Sequence, residues 1–217
     1  MSEQLPPGTL PWLMDFGRWI ARGPFSWAFR VRVSGRSNLP STGPVVVVAN
    51  HSSMVDGPVL LGALPRRVVF LIKQEMFRGA AGWGLRRIGQ LAVRRGVPDR
   101  EPLLAAQRVL RAGGVVGVFP EGTRGSGDVA QAQQGAAWLA RSTGAVVVPV
   151  ACRGTLRPPG SGRRFRPVVD VLVGAPFELP ADKGRQALEK ATEQVRDRLA
   201  TLVAELDSRR SVSGEAG

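Results

Sequence analysis

The chain has one histidine, His51, and a carboxylate five residues later, Asp56. Imidazole is the side chain best placed to take a proton from a hydroxyl near neutral pH. A carboxylate against its other ring nitrogen fixes the tautomer and stabilises the imidazolium that forms. The spacing restricts how the two can meet. On a continuous helix they would lie about 140° apart around the axis, and on a strand they would point to opposite faces. Contact needs a turn between them, and Ser52-Ser53 is turn-forming sequence. The residues therefore predict a base, His51, oriented by Asp56. A second role suits the same carboxylate. It precedes a short apolar stretch over 57–64 with Pro58 in its first turn, so it can also serve as a helix N-cap.

A second group of reactive residues follows the apolar run over 115–119. Gly122 permits backbone conformations that turn amide N–H groups toward an anion. Arg124 can grip a phosphate or carboxylate with two parallel hydrogen bonds. Lys73, Arg94 and Arg95 stand at the ends of other apolar runs and are candidates to converge on the same region. The plainer reading of this loop is an exposed Glu121–Arg124 pair that holds a turn and contributes little.

Placing these loops requires a strand before each. Val45–Ala49 is short, apolar and β-branched, entered through Gly43-Pro44, as expected of a buried strand. Similar runs occur at 68–72, 88–96, 115–119, 145–150 and 166–173, with a first strand at 29–33. Helical patterns lie between them at 57–64, up to Arg87, at 100–111 (Asp99 as cap), at 131–141 and at 182–206. Strand–helix alternation predicts one α/β domain with a mostly parallel or mixed central sheet flanked by helices. In such a sheet, residues just past the strand ends are the usual place for chemistry. The organisation expected is a leader and amphipathic helix over 1–30, the α/β domain over 31–207 and a disordered tail over 208–217.

The leader is distinctive. Trp12, Phe16, Trp19 and Ile20 follow helical spacing until Gly23-Pro24, with Arg18 and Arg22 among them, and three of the five tryptophans lie before residue 30. Aromatics mixed with arginine suit a helix lying in a membrane interface, the alternative being packing on the domain's own core. The 30 basic and 17 acidic residues give a net charge of +13, which attracts polyanions. Nearly all of it is arginine, lysine occurring only at 73, 183 and 190. No recognisable nucleic-acid-reading pattern accompanies the charge. No apolar run approaches the roughly 20 residues needed to span a bilayer, and no secretory signal pattern opens the chain. One cysteine, Cys152, excludes an internal disulfide, and no His/Cys cluster has metal-ligand spacing.

Taken together, these residues resemble the glycerolipid acyltransferase family of the 1-acylglycerol-3-phosphate acyltransferase type. Asn50-His51 and Asp56 match its His-x4-Asp signature. Lys73 to Phe77 with Gly89 to Arg95 resemble its second block, Phe119-Pro120-Glu121-Gly122-Thr123-Arg124 its third and Val148-Pro149-Val150 its fourth, all in family order. Three positions depart from it. Arg94 stands where many relatives have Asp, Gln134 where Lys often precedes a glycine, and the common proline near Arg78 is missing.

The resemblance implies acyl transfer from a thioester, acyl-CoA or acyl carrier protein, to the free hydroxyl of a lysophospholipid such as 1-acylglycerol 3-phosphate. Glycerol 3-phosphate, another lysophospholipid or a non-phosphate alcohol are alternative acceptors, and a non-catalytic binder of anionic lipid or nucleic acid is the competing class. On this resemblance His51 and Asp56 are catalytic, with no acyl-enzyme, and Cys152 is a buried small residue. Arg95 and Arg124 bind the acceptor phosphate, and Glu121 binds an acceptor hydroxyl or orients Arg124. Gly122, Thr123 and Lys73 complete the substrate site, Lys73 or loop amides stabilising the oxyanion. No metal or redox cofactor and no nucleic acid is expected. The implied location is the cytoplasmic face of an anionic membrane, peripheral or monotopic, without a transmembrane span.

Overall fold

The structure is a computed structural model that describes residues 4–94, 100–120, 126–156, 166–182 and 184–212. The elements in chain order are α1 (Pro11–Arg22), α2 (Pro24–Ala28), β1 (Arg30–Ser34), β2 (Val45–Ala49), α3 (Asp56–Ala63), β3 (Val68–Lys73), α4 (Gly79–Arg87), β4 (Leu91–Val93), α5 (Arg100–Arg111), β5 (Val115–Val118), α6 (Ser126–Thr143), β6 (Val146–Arg153), β7 (Val168–Val173) and α7 (Arg185–Val212). Among the described residues, the strands form one mixed sheet in the order β1-β7-β6-β2-β5-β3-β4. The predicted α/β class is the one observed.

Strand β2 is the axis of the sheet. It pairs in parallel with β5 on one side and β6 on the other, and β3 continues the parallel set to β4. Strand β7 runs antiparallel to β6 and pairs in parallel with β1. Strands β2 to β6 therefore end on the same edge. Valine dominates them because both faces are covered. Val46 and Val48 join a cluster with Leu110 of α5 and Leu139 of α6, while Val45, Val47 and Ala49 join Leu60 of α3 and nearby Leu64. Each such buried aliphatic side chain contributes roughly 1.5–3 kcal/mol.

Helix α1 lies against α3, and the approach is close: a Cβ on Gly62 would sit 2.9 Å from that of Ala21. Its buried face is Met14, Arg18 and Ala21, whereas Trp12 is 64% exposed, Trp19 60% and Phe16 50%. The usual amphipathic order is inverted, with aromatics out and arginine in. Arg18 Nη2 donates to the carbonyls of Leu64 (2.8 Å) and Pro65 (3.0 Å). Arg22 donates from Nε to Gly62 O and from Nη2 to Leu64 O. These carbonyls end α3, where cations are favoured. Burial, then repulsion from Arg22, pulls the Arg18 pKa down to about 10, still charged at neutral pH.

Several boundaries differ from the sequence reading. Helix α7 continues to Val212, so residues 208–212 are helical rather than tail. Arg210 pairs with Asp170, and Arg209 with Glu205 one turn back, which holds the last turns. Helix α6 starts at Ser126 instead of 131, and β4 covers only Leu91–Val93 of the predicted 88–96. Strand β6 runs on through Cys152 and Arg153, where a surface loop was expected from 153, because β7 pairs with residues 150–153. Asp99, the expected cap of α5, lies outside the described residues.

Candidate active site

At the carboxyl end of β2 the chain turns through residues 51–55 and enters α3 at Asp56. The turn closes with the Asp56 N–H donating to Ser53 O at 3.0 Å. It brings His51 Nδ1 to 3.1 Å from Asp56 Oδ2. The same oxygen accepts the backbone N–H groups of Ser52 (2.7 Å) and Ser53 (2.8 Å). The capping alternative is not what forms. Val55 is the N-cap of α3, and no side chain caps it. Asp56 is the first helical residue, and its carboxylate turns back onto the loop. A negative charge there still meets the positive end of the helix dipole.

Asp56 is fully buried. Burial pushes its carboxyl up, but hydrogen bonds from His51, Thr155 and the Ser53 and Ser52 amides outweigh that and hold it below the ordinary carboxylate value. The group is thus an anion at neutral pH. It accepts from Nδ1 and so leaves Nε2 as the basic nitrogen of the neutral ring. The His51 side chain keeps 21% exposure, enough for a substrate hydroxyl to approach.

One wall for the imidazole is Phe119, whose ring centroid lies 4.5 Å away at an interplanar angle of 33°. Phe119 in turn stacks on Phe70, at 5.3 Å and 13°. Gly117 makes this possible, since a Cβ there would run into the Phe70 ring. On the other side, Asn50 exchanges two hydrogen bonds with the Cys152 backbone. Cys152 is fully buried, and burial with the Asp56 charge beside it pushes its thiol far up. It has the environment of an inert packing residue, not of a nucleophile.

The structure brings His51 and Asp56 into contact. Lys73 is exposed at the end of β3, two strand spacings, about 10 Å, from β2 on the same edge. Arg95, Glu121, Gly122, Thr123 and Arg124 lie outside the described residues. The residues before them, Arg94 after β4 and Pro120 after β5, are at the carboxyl edge that carries His51. Sequence reasoning missed the roles of Phe119, Asn50 and Thr155. A usable signal existed: Asn50 directly follows an apolar run that ends on this edge, Phe119 closes another, and Thr155 lies just past a third. Among the described residues, no group of three or more His, Cys, Asp and Glu is arranged to hold a metal ion.

A family model described as Acyltransferase matches residues 30–153, more than half of the chain. The chain belongs to the glycerolipid acyltransferase family. This acyltransferase is 30% identical over 187 residues to the 1-acyl-sn-glycerol-3-phosphate acyltransferase of Bacillus subtilis, covering 82% of the chain and 90% of the relative. It is 32% identical to the chloroplastic enzyme of that name from Arabidopsis thaliana, covering 70% of the chain but 45% of the relative. Among solved structures, the 1-acyl-sn-glycerophosphate (LPA) acyltransferase of Thermotoga maritima superposes with a TM-score of 0.67 at 30% identity, covering 89% of this chain and 79% of that one. As an acyltransferase it takes an acyl donor and a lipid acceptor. No described helix is long and apolar enough to cross a membrane.

Proposed function

We propose that this acyltransferase transfers a fatty acyl group from acyl-CoA or acyl carrier protein to the free hydroxyl of 1-acylglycerol 3-phosphate, giving phosphatidic acid for phospholipid synthesis. The contact between His51 Nδ1 and Asp56 at the end of the central strand carries the reading, and the names of the relatives supply the acceptor. His51 Nε2 takes the proton of the acceptor hydroxyl as its oxygen bonds to the thioester carbonyl carbon. The tetrahedral adduct then collapses, the carbon–sulfur bond breaks, and the imidazolium returns the proton to the departing thiolate. Asp56 holds the ring and its transient positive charge. The steps use His51, Asp56 and the substrates' own atoms, with neither oxidation nor reduction, and none is routed through a metal or redox cofactor.

Arg95 and Arg124 take the acceptor's phosphate, Glu121 binds an acceptor hydroxyl or orients Arg124, Gly122 and Thr123 complete the substrate site, and Lys73 or loop amides stabilise the oxyanion. The outward aromatics of α1, and Trp27 of α2 at 78% exposure, dock the protein on an anionic membrane at its cytoplasmic face. The topology supports this placement: α2 leads into β1 at Arg30, and the β1–β7–β6 register puts that end of β1 on the edge that bears His51. The decisive assay supplies acyl-CoA and lysophosphatidate to wild type and His51→Ala. Acyl transfer by wild type with loss in the variant is expected; no transfer by folded wild type to any phosphorylated acceptor would overturn the reading.

A further inference from the structure

Resting on the general-base reading of His51, we propose that Thr155 is a positioning residue for the base: its hydroxyl fixes the plane of the Asp56 carboxylate and so the ring of His51. Thr155 Oγ1 donates to Asp56 Oδ1 at 2.5 Å, a contact across 99 residues of sequence. The two carboxylate oxygens thus have separate duties. Oδ2 accepts His51 Nδ1 and the Ser52 and Ser53 amides, and Oδ1 accepts Thr155.

The need for such a contact follows from the side chain itself. The terminal torsion of an aspartate is broad and roughly two-fold, so external partners must set the orientation of its plane. The three donors on Oδ2 all come from the loop that carries His51 and would turn with it. Thr155 belongs to a different strand exit and supplies an independent reference. Being buried, its hydroxyl gains little from water, and the bond to a charged acceptor is the strong kind.

The rest of the fold holds that reference in place. Arg153, the last residue of β6, makes a two-bond contact with Asp207 of α7, Nε–Oδ1 at 2.7 Å and Nη2–Oδ2 at 3.0 Å. Gly154 follows with φ of 89°, and a Cβ there would collide with Val168 O. This left-handed glycine turns the chain from the β6 edge back toward α3, which brings the Thr155 hydroxyl to Asp56.

The test compares Thr155→Ser, which keeps the hydroxyl, with Thr155→Ala, which removes it, alongside His51→Ala and thermal melts. Thr155→Ala should lower kcat about 10-fold, the worth of one hydrogen bond to a charged group, with KM for both substrates unchanged. Thr155→Ser should stay within about two-fold of wild type. Because His51 is the only histidine, imidazole nitrogen NMR reads its tautomer without ambiguity. A single Nδ1–H tautomer in wild type and Thr155→Ser should give way to a mixture in Thr155→Ala. Equal turnover by the two Thr155 variants, with His51→Ala inactive, overturns the positioning role and leaves the base reading intact. Full activity in His51→Ala overturns the base reading and the Thr155 proposal with it.

Discussion

Asn50 grips the backbone of Cys152 with both ends of its amide: Nδ2 donates to Cys152 O at 2.9 Å, and Oδ1 accepts the Cys152 N–H at 2.7 Å. The asparagine is fully buried and sits one residue before His51. It therefore ties the exit of β2, where His51 stands, to the end of β6, which leads to Thr155. Both partners are polar groups that water cannot reach if the amide is lost.

Asn50→Ala should destabilise the protein by about 2–4 kcal/mol, since it strands a buried N–H and a buried carbonyl together. Asn50→Asp should cost at least as much, because a carboxylate oxygen would then face Cys152 O. Urea unfolding measures both as lowered midpoints with unchanged slope. A loss below about 0.5 kcal/mol in each would mean that the clamp is unimportant.

The acid limb of stability should report on Asp56. Its folded-state carboxyl is held below the ordinary value, so its stabilisation is complete above an unfolded value of about 4 and disappears as pH falls through the lower folded value. Asp56→Asn should be less stable than wild type near neutral pH, and that gap should narrow below about pH 4. Urea titrations of both proteins at several pH values give the comparison. A gap independent of pH down to about 2 would contradict the assigned ionisation.

Asp56→Asn and His51→Ala should both lose most turnover, by at least about 100-fold, while binding lysophosphatidate as wild type does. Measuring kcat and KM separately decides it. A rise in KM alone would place the pair in substrate binding instead of proton transfer.

The proposed membrane docking can be tested apart from folding because α1 presents different residues on its two faces. Replacing Trp12, Trp19 and Trp27 with serine removes outward side chains and leaves Met14, Arg18 and Ala21 against the domain. Co-sedimentation with vesicles containing anionic phospholipid should fall by roughly ten-fold or more, with the melting temperature unchanged. Undiminished binding would remove these aromatics from the docking role. Deleting the whole leader is a poorer experiment, since it would also withdraw the two arginines that hold the end of α3.

Sequence determined whatever is settled over short range. The Val45–Ala49 run predicts its own strand because β-branched apolar residues favour an extended, doubly covered chain. His51 and Asp56 predict each other because a turn of five residues closes their contact with donors from the same loop. The four family blocks supplied the family resemblance in the same way, as short stretches read in order. Tertiary structure alone decided the partners of that pair. Phe119 and Thr155 are 68 and 104 residues from His51 in the chain, and sheet register, not spacing, brings them to one edge. It also decided which face of α1 turns inward. Helical periodicity sets Trp12, Phe16 and Trp19 apart from Met14, Arg18 and Ala21, but it is the carbonyls ending α3, which Arg18 reaches, that turn the latter face inward. An end-of-helix carbonyl out of water's reach needs a donor, and a tryptophan cannot bring it a charge.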